Sequence, residues 1–215
     1  MTLTRVHLET GLRLPIKAYK MVDPQFERAF LAGESIKIDS LENYRAMEGE
    51  RGDPLEGAAK NYIGRTMVLD GMNPADVSLI RSIGIDISFC YKPSFTNISS
   101  VQSLQPMRIF CASLAPDFSK AKDMGCSLIE ITDLLKFAAT INRQNPHLGE
   151  VRWSPVEYVA READLSISAP VRPHPFKKSQ DFAWENEIRL LWGGPVNGSP
   201  IVRSPAVRRY LRKLA

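Results

Sequence analysis

Cysteine, histidine and long apolar runs are all scarce in this chain of 215 residues, and each scarcity removes a class of protein. The three cysteines, Cys90, Cys111 and Cys126, stand far apart with no CxxC pair and no neighbouring histidine. Neither a disulfide framework nor a zinc ribbon is therefore expected, and reduced thiols in a cytoplasmic protein are the simplest account. His7, His147 and His174 are widely spaced and lend no support to a zinc site. The opening MTLTRVHLETGLRLP is too polar for a secretory signal, and no run reaches the length of a membrane span, so no membrane is expected as a partner. The phosphate-binding GxxxxGKS/T, the dinucleotide GxGxxG, the HExxH of zinc proteases and the GxSxG elbow are also missing, which argues against familiar kinases and hydrolases. There is no internal repeat.

What is present reads as globular. Hydrophobic residues make up 44% of the chain and charged residues 24%, enough of the first to build a core without staples. The formal net charge of +4 is unevenly spread. Between Glu34 and Glu56 acids outnumber bases, whereas the ending RSPAVRRYLRKLA carries Arg203, Arg208, Arg209, Arg212 and Lys213 and no acid. A basic tail fits a nucleic acid or an acidic partner, or else a solvated terminal helix.

Punctuation along the chain predicts alternating elements. LPIKAYKMV (14–22) is strand-like and runs into DPQFERAFLAGE, where Asp23 can cap a helix with Pro24 in its first turn and Gly33 as its stop. SIKID alternates as a short strand, and Ser40 can cap the turn LENYRAM. EGERGDPLEGAAKN reads as a loop, YIGRTMVLDG as a strand, and NPADVSLIRSIG as a helix capped by Asn73. IDISFCYK, FTNISSVQ, MRIFCASLA, CSLIEI, GEVRWSPVEYV and FAWENEIRLLW are β-rich, and TDLLKFAATINRQ carries an apolar helical stripe. Strands that follow one another without intervening helices predict an α+β fold with a mixed, largely antiparallel sheet and helices packed on it. A single domain over 1–215 is expected, with a basic helical tail from about residue 203.

The segment DFAWENEIRLLW (181–192) is the most informative. Read as one strand, it turns Phe182, Trp184, Ile188, Leu190 and Trp192 one way and Glu185, Glu187 and Arg189 the other. The heavy apolar flank predicts a central strand, and charges on such a strand need a cleft or a partner because burying them unpaired is costly. Two carboxylates about 6.5–7 Å apart can reach one substrate, one stabilising a sugar cation and the other handling the nucleophile. The alternative is a solvated face with Arg189 in a surface ion pair.

E-x-E near the end of a chain of this size resembles the catalytic motif of mono-ADP-ribosyltransferases of bacterial toxin or phage-defence type. AYK near the start, GDPLEG after a helical turn and the late FAWENEIRL strengthen the resemblance. It implies a split, mixed sheet around a cleft for NAD as substrate, with Glu187 catalytic and Glu185 assisting the nucleophile. By the same resemblance Tyr19, Lys20, Ser40, Tyr44 and Arg45 would hold NAD. Lys20 stands where the family has Arg or His, and the Ser-Thr-Ser run of the arginine-modifying branch is absent. HPFKKSQDF precedes the catalytic segment as substrate-recognition loops do in the family, so Phe176, Lys177 and Lys178, with Arg189, become candidates for binding a nucleic-acid or protein acceptor. A neutralising antitoxin would be a natural partner.

Two other readings stay open. Asp53, Glu56, Glu185 and Glu187 could surround Mg²⁺ in a nuclease, and Glu48 and Glu50 could join a hard-cation site. Alternatively the charged strand is a nucleic-acid or partner interface without catalysis.

Overall fold

A computed structural model describes residues 14–45, 55, 58–88, 90–194 and 199–214. The chain divides into two compact units. The first comprises Met1–Ala46, Pro106–Val156 and Ala183–Ala215, and the second Met47–Gln105 and Glu157–Phe182. The fold class is α+β with antiparallel sheets, as the strand-after-strand pattern implied. Among the described residues the α-helices are α1 (Pro24–Leu31), α2 (Leu41–Arg45), α3 (Pro74–Arg81), α4 (Phe118–Asp123) and α5 (Leu134–Gln144). Asp23, Asn73 and Asp133 cap α1, α3 and α5 by accepting backbone N–H groups. The first two caps follow the sequence pattern, whereas α4, capped by Asp117, was not anticipated.

The first unit is built on a seven-stranded sheet. Its strands are β1 (Ala18–Val22), β2 (Asp39–Ser40), β3 (Arg108–Ser113), β4 (Ser127–Ile131), β5 (Val151–Pro155), β6 (Glu187–Trp192) and β7 (Leu211–Lys213). They lie in the order β5-β6-β3-β1-β4-β7, every neighbouring pair antiparallel, and β2 also pairs with β3. One face carries the core: Phe110, Ile129, Ile131, Ile188, Leu190 and Trp192 pack with Phe30 of α1 and Phe137, Ala138 and Ile141 of α5. Phe110 stacks with Phe30 and tilts against Phe137, at centroid distances of 6.5 and 5.4 Å.

One edge of β3 is divided between two partners. At its end Ser113 registers with Tyr19 of β1, while Arg108 and Ile109 register with Ser40 and Asp39 of β2. Between them the Cys111 carbonyl accepts a hydrogen bond from the Lys20 ammonium at 2.7 Å. A side chain thus supplies the donor that the diverging β1 backbone does not.

The second unit has its own core of Ile63, Leu69, Ile80, Ile83, Ile87 and Leu165. Strand Ala58–Ile63 lies between Ile98–Ser103, antiparallel, and Glu162–Asp164, parallel. Asn61 is fully buried there and exchanges hydrogen bonds with both backbone groups of Val171. IDISFCYK, expected to be β-rich, holds no strand among its described residues, and AAKN, assigned to a loop, begins the Ala58–Ile63 strand.

The basic tail is not a helical arm. Pro205–Tyr210 forms a 3-10 helix with Val207 fully buried, and Leu211–Lys213 then joins the sheet edge as β7. The turn before it needs Gly33: a Cβ there would collide with the Ser204 carbonyl, and φ is +69°. Arg212 pairs with buried Glu130 at 2.7 Å and Lys213 with Glu27 at 3.0 Å. Two of the tail's charges therefore meet carboxylates of the same unit, and the Lys/Arg content of β7 guards an edge against further pairing. The Ser127 hydroxyl and then Lys213 hold the Glu27 carboxyl below its ordinary pKa. A depressed carboxyl pKa contributes stability above the unfolded value, about 4.3, that is lost as pH falls through the folded one. Acidification below about pH 4 should therefore lower the protection of the Leu211–Lys213 amides against hydrogen exchange, taken relative to the intrinsic rate at each pH, and Glu27→Gln should reduce that pH dependence.

Candidate functional site

Strand β6 is central, between β5 and β3, as its apolar flank predicted. Its two faces are not one dry and one wet, however, because all six residues from Glu187 to Trp192 are buried. Glu187 is 4% exposed and Arg189 0%. The guanidinium grips the carboxylate with both prongs, Nε to Oε1 at 2.8 Å and Nη2 to Oε2 at 3.3 Å. Residues two apart on a strand share a face, so the spacing that suggested a charged surface also allows this internal clamp. A surface ion pair is thereby replaced by a desolvated one, for which loss of either partner is severe.

The E-x-E reading needs a correction at its first member. Glu185 ends a 3-10 helix, Gln180–Glu185, and Asn186 turns the chain with φ +43° before β6 begins at Glu187. Glu185 and Glu187 are thus not neighbours on one strand face. Asparagine suits this left-handed position better than most side chains. The same turn removes Phe182 and Trp184 from the apolar face. Trp184 is 43% exposed, with the Lys120 ammonium of α4 4.6 Å from its ring centre.

Register assembles a polar row that no local motif announces. Glu187 lies opposite Ser113, Ser113 opposite Tyr19, Tyr19 opposite Glu130, and Glu130 opposite Arg212. Tyr19, one of the residues expected to hold NAD, is half-buried and shares a sheet face with Glu187, two strands away. Ser113 between them exchanges hydrogen bonds with the backbone of Ala115. Lys20 alternates with Tyr19 and turns instead to the divided edge of β3, where its ammonium lies 5.1 Å from the Phe110 ring centre. Burial lowers the Lys20 pKa, opposed by the fields of Cys111, Glu187 and Glu185. Lys20 and both glutamates are therefore close enough to interact electrostatically.

The other expected residues are placed less favourably. Ser40 is buried and its hydroxyl caps α2 by accepting the Asn43 N–H, as its sequence position suggested. Tyr44 and Arg45 close α2 by backbone, but their side chains lie outside the described residues. Glu48, Glu50, Asp53 and Glu56 also lie outside them, and among the described residues no group of three or more His, Cys, Asp or Glu is arranged to hold a metal ion. Phe176, Lys177 and Lys178 belong to the second unit. There Lys177 pairs with Glu157 at 3.2 Å. Lys178 is 6% exposed, with its ammonium 4.7 Å from the Phe182 ring centre, so it is not a solvent-facing contact. Arg161 of the same unit escaped the sequence reading: it is buried, and its guanidinium donates to the carbonyls of His174 and Lys177.

No family model, curated protein or solved structure matches this chain. No helix among the described residues is long and apolar enough to cross a membrane.

The clamp makes a direct prediction. Arg189→Met removes the bidentate partner of a buried carboxylate and should destabilise the protein by about 3–5 kcal/mol in urea unfolding. Glu187→Gln should also destabilise, and the double variant Glu187→Gln/Arg189→Met should lose clearly less than the sum of the two.

Proposed function

We propose that the chain is an NAD-dependent ADP-ribosyltransferase in which Glu187 is the catalytic carboxylate. The observation that carries this reading is the buried, bidentate Arg189–Glu187 clamp at the start of a central strand, in one register row with Ser113 and Tyr19. A carboxylate locked onto a guanidinium is a fixed negative charge rather than a mobile proton carrier. Such a preorganised charge suits a reaction whose transition state develops positive charge on a sugar.

The chemistry balances without a metal or a redox partner. The bond between the ribose C1′ and the nicotinamide nitrogen breaks, and its electron pair leaves with nicotinamide. Glu187 stabilises the ribosyl cation, Glu185 accepts the proton of the acceptor nucleophile, and a new bond forms from C1′ to the acceptor. Tyr19 offers an aromatic face on the same side of the sheet as Glu187. Lys20 adds a positive charge nearby, its charged form favoured against burial by the fields of Cys111, Glu187 and Glu185. A nucleic-acid or protein acceptor, a toxin or defence role and control by an antitoxin belong to the same proposal.

The test uses NAD labelled in its adenylate half, incubated with the protein and a cell extract. Label should enter protein or nucleic acid, and Glu187→Gln should cut the rate at least about a hundredfold. Since that variant also perturbs the clamp, Glu185→Gln provides a second reading, with transfer slowed by about 10²–10⁴. Failure of the unaltered protein to consume NAD or transfer label would overturn the proposal and leave the clamp a structural ion pair.

A further inference from the structure

The second unit contains a surface that the chemistry above does not use. Residues 169–176 read APVRPHPF, with Pro170, Pro173 and Pro175 alternating with or flanking Arg172 and His174. Each proline fixes its own φ and restricts the residue before it, so the segment is stiff before any contact is made. Residues 169–174 form no helix or strand, yet the segment is held at both ends. At one end the fully buried Asn61 side chain accepts from the Val171 N–H at 2.9 Å and donates to its carbonyl at 3.0 Å. At the other, the buried Arg161 guanidinium donates to the Lys177 carbonyl at 2.9 Å and reaches the His174 carbonyl at 3.4 Å. The Phe176 N–H also closes onto His174 Nδ1 at 3.2 Å.

Two buried polar side chains are thus committed to fixing a loop whose outward side chains are Arg172 and His174, both exposed. The Arg172 guanidinium has no ion-pair or hydrogen-bond partner among the described residues. His174 lies beside Phe176, ring centroids 6.1 Å apart. From Ala169 to Lys178 the segment contains no acid; of its cations, Lys177 pairs with Glu157 and Lys178 is buried, which leaves Arg172 as the exposed one, unengaged among the described residues. A fixed display of one unengaged guanidinium and, two residues on, an aromatic pair matches a ligand that repeats an anion and a flat ring.

We propose that this proline-spaced strap is a preorganised docking site for single-stranded nucleic acid, with Arg172 on a phosphate and His174, backed by Phe176, stacking on a base. An extended rise of about 3.1 Å per residue places Arg172 and His174 about 6 Å apart, so one short stretch of strand can engage both. Affinity then comes from a phosphate contact plus sequence-tolerant stacking, and rigidity lowers the ordering cost of binding. The site stands on the second unit's geometry alone. If the transfer proposal also holds, it names the acceptor as nucleic acid.

The test is fluorescence anisotropy of the full chain with labelled single-stranded DNA of mixed sequence at several salt concentrations, without NAD. Transfer chemistry and docking then fail separately. The unaltered protein should bind with a marked salt dependence. Arg172→Gln should weaken binding and lower the slope of log K against log salt by about one, whereas Arg172→Lys should restore most of that slope. His174→Ala should weaken binding about tenfold with the slope unchanged. Both side chains are exposed, so unchanged melting curves would show that the variants remain folded. No binding by the unaltered protein, or binding by Arg172→Gln/His174→Ala equal to it, would overturn the proposal. So would competition by polyglutamate as effective as that by unlabelled DNA, which would mark an acidic protein partner instead.

Discussion

The first unit depends on the burial of one ion pair in the middle of a sheet. Glu187 and Arg189 occupy a strand flanked on both sides, so neither can turn to water, and each compensates the other's buried charge. Desolvating two charges costs several kcal/mol apiece, and a bidentate contact offsets that cost only with good geometry. The strand must therefore keep its register with β3 and β5, since a slip of one residue would turn both charges into the apolar core. The same constraint that limits the fold also fixes a carboxylate's position and charge, which is what electrostatic catalysis needs.

Within each unit the chain repeatedly uses charged side chains in place of backbone partners. Lys20 supplies a donor to the Cys111 carbonyl where β1 and β2 share the β3 edge. Arg108 donates to the carbonyls of Ile38 and Ser199, and Arg161 supports the strap from beneath. Irregular backbone is retained where long cationic side chains can satisfy its carbonyls. These cations are structural to different degrees. Arg172, by contrast, is held out by the backbone around it while its own head group remains unengaged among the described residues.

Much of the secondary structure was legible because it rests on local rules. Asp23 and Asn73 cap helices as their positions ahead of proline implied, and Gly33 ends α1 at positive φ. The central placement of β6 followed from its apolar residues, which burial confirms at Ile188, Leu190 and Trp192. The same pattern misled at its start: Phe182, Trp184 and Glu185 continue the alternation in sequence, yet a 3-10 helix and the left-handed Asn186 break the strand before Glu187. Alternation carries no mark of where a strand begins, and asparagine is only a weak sign of a turn. The tail failed for another reason. Its basic residues are exposed, as the sequence suggests, but Leu211–Lys213 is a strand rather than a helix, and the strand it pairs with and the carboxylates of Glu27 and Glu130 are far away in the chain.

The sequence by itself determined the α+β class, several helix boundaries and the shared face of Glu187 and Arg189, because each follows from periodicity or from the chemistry of adjacent residues. Only the tertiary structure decided that those two charges bind each other in the interior, that Tyr19 and Ser113 share their row, and that Lys178 is buried while Arg172 is exposed. Strand register and burial arise between segments separated by tens of residues, and those relations are set by packing of the whole unit rather than by any window of the chain.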